Sequence, residues 1–309
     1  MTPPGPTSGA AGSRDGSRAG ILWMMGAMLT FVVIDTIAKH LTGDLGYAVP
    51  MVLWARYFFH LLIVVVVLNR RLRARLGTAR PGLQVFRSGL LLLATWFLVS
   101  ALPLVPLADV NAVLFVVPIL VTALSVPMLR EPVGVRRWAG VVVGFAGAII
   151  VVRPGAGMTQ AAVLLPLAAA VCFALYQIAT RMLSATDHPW TTLLWTAILG
   201  TLLTSLIVPP FWRTPDGIVW LWLFLMGALG SAGHYALIKA FQRTAAATVS
   251  PFSYTAMIWA TLLGYLVFGD LPDRWTVTGA VVIAASGLYI YHRENTRHRG
   301  ASPGIARNT

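Results

Sequence analysis

Charge is scarce in this chain. Asp, Glu, Lys and Arg together make up 11% of its 309 residues, and the acidic residues number only 10 against 23 Lys and Arg. A soluble domain carries about 25% charged residues, so a surface that faces water all round is excluded. Cysteine is nearly absent as well. Cys172 stands alone inside an apolar run, which rules out an internal disulfide and leaves it as a small buried hydrophobe. The chain has no H-E-x-x-H zinc pair, no Walker loop and no G-x-S-x-G elbow. Ser231 and His234 lie close on one apolar segment, but serine hydrolysis needs its base on a separately positioned element beside an oxyanion hole. No catalytic residue, resident metal or cofactor is expected. Polar linkers are short throughout, leaving no room for a soluble domain.

Long apolar runs are abundant. Hydrophobic residues make up 57% of the chain and the mean hydropathy is +0.76. Residues 110–129 and 244–269 carry no charge at all. A run of about 20 apolar residues spans the roughly 30 Å core of a bilayer as a helix. The pattern predicts about ten such helices, at 20–40, 48–69, 83–104, 107–129, 137–153, 160–182, 190–210, 217–240, 245–268 and 275–292. The expected fold class is an all-α polytopic membrane protein, and the lipid bilayer is its first partner. Residues 1–19 are rich in Pro, Gly and Ser and read as a disordered cytoplasmic tail. Residues 293–309 read as a basic cytoplasmic tail. The first apolar run is long for a signal peptide and is expected to be a retained helix.

The net charge of +13 invites a nucleic-acid reading, but the cations sit between apolar runs, where the positive-inside rule puts them. Arg70, Arg71, Arg73, Arg75, Arg80 and Arg87 fall between the second and third helices. Arg130, Arg136 and Arg137 fall in the next even gap, and Arg181, Lys239 and Arg243 in later ones. The odd gaps hold only Lys39, Arg153, Arg213 and Arg274. Even gaps and both termini are expected on the cytoplasmic side of an inner, or plasma, membrane. Nucleic acid is not an expected partner.

The chain also repeats itself. A shift of 139 lays residues 108–149 over 247–288: Ala108 meets Ala247, Thr122 meets Thr261, Glu131 meets Asp270, and Gly140 meets Gly279. A shift of 142 lays 31–41 over 173–183, so that Phe31 meets Phe173, Asp35 meets Gln177, and Lys39 meets Arg181. Each half, 20–153 and 160–292, holds five helices. An odd number forces the halves into the membrane in opposite senses, giving an inverted repeat with its substrate site expected near the midplane between them. Secondary transport of a small molecule follows from this architecture. A membrane scaffold and an intramembrane enzyme remain the readings from other classes.

Ionisable groups inside lipid are functional candidates. Asp35 lies about 9 Å from the outer end of the first helix and Arg56 about 12 Å from that end of the second. They are expected to form a structural pair, with direct substrate or coupling contact as the alternative. Lys39 is expected to snorkel to the interface. His60, near mid-depth, is a core histidine or a proton relay. Tyr176, Gln177 and His234 fall in the inner third. Asn111 and Ser250 are repeat mates close to Pro118 and Pro251, where a loosened helix could line a pore. Trp96 and Tyr254 could stack on a flat ligand or simply pack. Glu131 and Asp270 at helix ends read as structural ion-pair or gate residues. Gly140, Gly144 and Ala148, with Ala280, Ala284 and Gly287, form small faces for helix packing within the chain or in a homodimer.

The stretches 107–155 and 245–294 each end in an acidic residue, a short polar turn and a glycine-bearing last helix. In this they resemble the EamA-type transporters of the drug/metabolite transporter superfamily. The resemblance covers about residues 20–294. It implies ten helices in two inverted repeats, alternating access, and a small organic metabolite as substrate. The stretches GHYALIKAF and SPFSYTAMIWATLLGYLVFGDLPD are similar to branches that take up riboflavin or S-adenosylmethionine, or export opine metallophores. Riboflavin or a related vitamin is the leading substrate on that resemblance, with amino acids and metallophores as the alternative. Asp270 departs from the more usual Glu at its position, but keeps the charge.

Overall fold

The computed structural model describes the backbone of residues 9–129, 135–152, 160–244 and 249–300. Among these residues every regular element is a helix. The chain is an all-α polytopic membrane protein. Its first half comprises α1 (Gly9–Lys39), α2 (Val49–Leu68), α3 (Pro81–Ala101), α4 (Leu107–Leu114, continued by Val116–Leu129) and α5 (Val135–Val152). Its second half comprises α6 (Gln160–Ser184), α7 (Pro189–Ile207), α8 (Gly217–Arg243), α9 (Ser250–Tyr254, Thr255–Leu263 and Gly264–Phe268 in succession) and α10 (Arg274–Gly300).

Helices α1, α2, α3, α6, α7 and α8 are long and apolar enough to cross a bilayer unaided. Shorter apolar stretches lie in α4, α5 and α9. Val66, Val142, Leu206, Ile258 and Val281 are more than half exposed, a pattern suited to lipid rather than water.

Two helices expected to be continuous are broken, for a reason the prolines supply. Pro118 has no N–H to give to the carbonyl of Leu114 and its ring crowds that carbonyl. Helix α4 is interrupted at Phe115 accordingly. Pro251 opens α9 as a 3-10 turn, and α9 closes as a π segment capped by Gly269 at φ 71°. A left-handed cap of this kind suits glycine, which has no Cβ to clash. The first and last helices run beyond the expected spans. Helix α1 already begins at Gly9, inside the stretch expected to be disordered, and α10 runs on to Gly300.

The packing order reveals the repeat. The main helix pairs are α1 with α8 and α3 with α6, α4 with α6 and α1 with α9, α3 with α7 and α2 with α8, and finally α2 with α7 and α5 with α10. Exchanging α1–α5 for α6–α10 maps this set onto itself, as a pseudo-twofold axis requires. Five crossings per half make the halves antiparallel, so the axis lies in the membrane plane.

Contacts between loops agree with ten crossings, because gaps of like parity meet. Asp187, between α6 and α7, accepts hydrogen bonds from Thr78, Ala79 and Gln84 around the start of α3. On the other side Arg213, between α7 and α8, donates to the carbonyl of Leu45 and covers the ring of Tyr47. Where no water drives helices together, close approach matters most. A Cβ at Gly227 of α8 would stand 2.8 Å from the backbone N of His60 on α2. One at Gly147 of α5 would stand 3.0 Å from the Gly279 carbonyl on α10, and Ser286 donates to the Gly140 carbonyl at 2.5 Å. The small faces thus serve α5–α10 packing within the chain.

Candidate functional site

One face of α1 carries Met24, Met28, Phe31 and Asp35, spaced as neighbours along a helix. It meets Phe173, Tyr176 and Gln177 of α6, Asn111 to Pro118 of broken α4, His234 and Leu237 of α8, Arg56 of α2 and Ser253 of α9 around a cavity. Its free space is about 900 Å³, open mouth included. Repeat mates line it in pairs: Phe31 with Phe173, Asp35 with Gln177, Leu114 with Ser253, and Val117 with Ala256. The cavity therefore sits on the pseudo-twofold axis between the halves. The break at Phe115 faces it, and irregular backbone at membrane depth is tolerated where it lines a cavity.

Of the residues singled out in the sequence, Asp35, Arg56, Asn111, Tyr176, Gln177 and His234 line this cavity. Asp35 and Arg56 are 5% and 6% exposed. The structural pair expected between them is not made: no hydrogen bond or ion pair joins them, and Arg56 Nη1 has no hydrogen-bond partner among the described residues. The reason is lateral. Helix α8 packs against both α1 and α2, and the Arg56 head group lies over Gly230 of α8. Asn111 turns one amide N–H back to the Leu107 carbonyl at 3.0 Å.

The other candidates lie elsewhere. His60 stacks on His234 at 6.2 Å with its Nε2 unpartnered among the described residues, behind the lining. Trp96 packs against the main apolar core. Tyr254 is buried edge-on against Phe115 at 4.9 Å. Neither is part of the lining; the rings that face the cavity are Phe31, Phe115, Phe173 and Tyr176. The Ser250 side chain and Glu131 lie outside the described residues. Lys39 does not snorkel. It forms a 2.7 Å ion pair with Asp270, donates to the Val105 carbonyl and lies over the Phe268 ring. This ties α1, the α3–α4 turn and the α9–α10 turn together at one end of the bundle. Among the described residues no group of three or more His, Cys, Asp or Glu is gathered as a metal site would need.

Arg87 is the group the sequence misplaced. Its position put it among loop cations, yet it is fully buried in α3. Its Nε donates to Thr180 Oγ1 at 2.7 Å, Nη1 to Thr196 Oγ1 at 2.6 Å, and Nη2 to Tyr176 OH at 2.7 Å. Tyr176 OH in turn lies 3.2 Å from His234 Nδ1. A buried guanidinium thus grips one cavity-lining side chain, Tyr176, from behind, and through it reaches a second, His234. The signal was present in the spacing: Gln84, Arg87, Ser88 and Thr95 share one buried face of α3.

At the turn between α6 and α7, burial pushes the Asp187 carboxyl up, but donors outweigh it: Thr78 Oγ1, Gln84 Nε2 at 2.7 Å, the Ala79 N–H at 3.3 Å, and Thr186. The carboxyl is held below the usual carboxylate range.

Known proteins are similar along nearly the whole chain. The EamA-like transporter family matches twice, over residues 18–153 and 160–291. A riboflavin transporter of Vibrio cholerae is 31% identical, with 91% of this chain and 95% of that protein covered. An S-adenosylmethionine uptake transporter of Rickettsia prowazekii is 27% identical over 89% and 93%. A pseudopaline exporter of Pseudomonas aeruginosa is 24% identical over 87% and 94%. One crystal structure superposes with a TM-score of 0.64 at 21% identity, over 94% of this chain and 99% of the other, which shows a shared fold.

Proposed function

The chain belongs to the EamA-like transporter family, and from that premise we propose that it carries riboflavin or a closely related vitamin-like metabolite by alternating access. It is a small-molecule transporter and not an enzyme. The observation that carries the substrate reading is the cavity between the repeats. Its walls are the rings of Phe31, Phe115 and Phe173 with Met24 and Met28, and its polar groups include Asp35, Arg56, Asn111, Tyr176 and Gln177. Flat ligands gain from aromatic and thioether contact, while a few placed polar groups fix orientation. Riboflavin joins a flat tricyclic ring to a hydroxylated chain. The ring suits the walls, and the hydroxyls suit Asn111, Gln177 and Tyr176.

Rocking of one half on the other about the axis would expose this cavity to each side in turn. The Lys39–Asp270 pair at the outer end would then be made in one state and broken in the other. The same reading puts the chain in the inner membrane with both termini cytoplasmic, on the arginine distribution. The relatives include uptake and export proteins, so export of an amino-acid-derived metallophore, whose zwitterion would also bridge Asp35 and Arg56, is the second reading.

The test is uptake of labelled riboflavin into liposomes holding the purified protein. Saturable uptake that Arg56→Gln weakens at least about tenfold supports the reading. No riboflavin uptake, with uptake of S-adenosylmethionine or a metallophore instead, overturns it.

A further inference from the structure

Two buried ionisable side chains line one cavity, within each other's electrostatic reach but without a contact ion pair between them. Arg56, 6% exposed, has an Nη1 with no hydrogen-bond partner among the described residues. Asp35, 5% exposed, lines the same cavity and makes no ion pair among the described residues. A buried donor without a partner is costly, and a buried carboxylate more so. A site that holds both apart is complete when a third group supplies an acceptor to one and a donor to the other. An anion alone would satisfy Arg56 and be repelled by Asp35. A cation alone would do the reverse.

The rings settle the kind of group. Phe31 lies one turn from Asp35 on the same face of α1, and its repeat mate Phe173 lines the cavity from α6. A polar edge held by Asp35 therefore belongs to a molecule whose flat body lies along Phe31. We propose that Asp35 and Arg56 together read the imide edge of a flat heteroaromatic ring. Arg56 donates to a ring carbonyl, and the Asp35 carboxylate accepts from the adjacent ring N–H. This rests on the transport reading above and deepens it, by naming the part of the substrate that is recognised. Arg87 stands behind Tyr176, outside the lining, and takes no part in the edge contact, because it donates to Thr180, Thr196 and Tyr176.

The test uses the unaltered protein in lipid nanodiscs and three probes: riboflavin, riboflavin methylated at the imide nitrogen, and lumichrome, which keeps the imide but lacks the hydroxylated chain. Binding is followed by flavin fluorescence, with lumichrome as competitor. The methyl group removes the N–H and crowds the carboxylate, so the methylated flavin should bind at least about tenfold more weakly. Lumichrome should displace riboflavin. In Asp35→Ala the preference for riboflavin over its methylated form should fall to near one. Equal binding of both flavins to the unaltered protein overturns the imide contact and leaves the transport reading standing. So does a preference that survives unchanged in Asp35→Ala. Binding of S-adenosylmethionine with no flavin binding overturns both, and assigns the two charges to an amino-acid zwitterion.

Discussion

Replacing Arg87 should give an order of stability opposite to the conservative expectation. The guanidinium is fully buried and donates three short hydrogen bonds, to Thr180, Thr196 and Tyr176, at 2.6 to 2.7 Å. Each bond from a charged donor contributes about 1.5–3 kcal/mol, giving roughly 5–9 kcal/mol in all. Against this stands the cost of removing the cation from water, which is several kcal/mol. The acceptors keep partners when the cation is lost. Thr180 and Thr196 also donate to helix carbonyls, and Tyr176 OH retains His234. Arg87→Met should therefore destabilise by no more than about 2 kcal/mol. Arg87→Lys keeps the charge, but one ammonium cannot reach α6 and α7 in three directions. It should cost about 3–5 kcal/mol. Thermal unfolding in detergent gives the order. Transport of riboflavin, the proposed substrate, gives the role: with Tyr176 held by His234 alone, KM should rise about tenfold in Arg87→Met, equivalent to about 1.4 kcal/mol. Tyr176→Phe should do the same, and the two changes together should add little. A lysine variant as stable as the unaltered protein, or a methionine variant with unchanged KM, would refute the reasoning.

Three further outcomes follow from the structure. Lys39→Gln and Asp270→Asn should each speed labelling, from the outer side, of a cysteine placed at Leu98, and the swap of both charges should slow it again; unchanged labelling would mean the pair holds nothing shut. Asp187 has a folded pKa below its unfolded value, so its contribution is complete above about pH 4 and is lost as pH falls through the folded value. Asp187→Ala should accordingly lower the melting temperature at pH 7, and the gap should narrow as pH falls through the folded value; a gap that does not narrow in acid would contradict the assignment. Reporter fusions at position 78 should read cytoplasmic and those at 214 external, and the reverse at both sites would overturn the orientation.

The sequence revealed the spans and the repeat, because both are written in one dimension. Apolar length marks a crossing, and Phe31, Phe173, Asp35 and Gln177 show their kinship by spacing alone. The break in α4 was legible in Pro118. Lateral neighbours were not. Asp35 and Arg56 were matched in depth, but nothing in the chain says that α8 stands beside both helices. Lys39 and Asp270 are 231 residues apart, and only the folded packing of α1 on α9 brings them together. Arg87 was hidden by its company: five arginines precede it between α2 and α3. Counting by gap treats them alike, whereas the helix that starts at Pro81 carries Arg87 inward and leaves the others outside.

The cavity between the halves is the centre of this account, and the most direct test asks whether it opens to both sides. Cys172 is the chain's only cysteine, so a Cys172→Ser background carrying Leu114→Cys offers a single thiol on the cavity wall. Membrane-impermeant maleimide is applied to sealed vesicles of each orientation. The account predicts labelling from both sides, slowed from both by riboflavin. Labelling from one side only, unaffected by substrate, would contradict it.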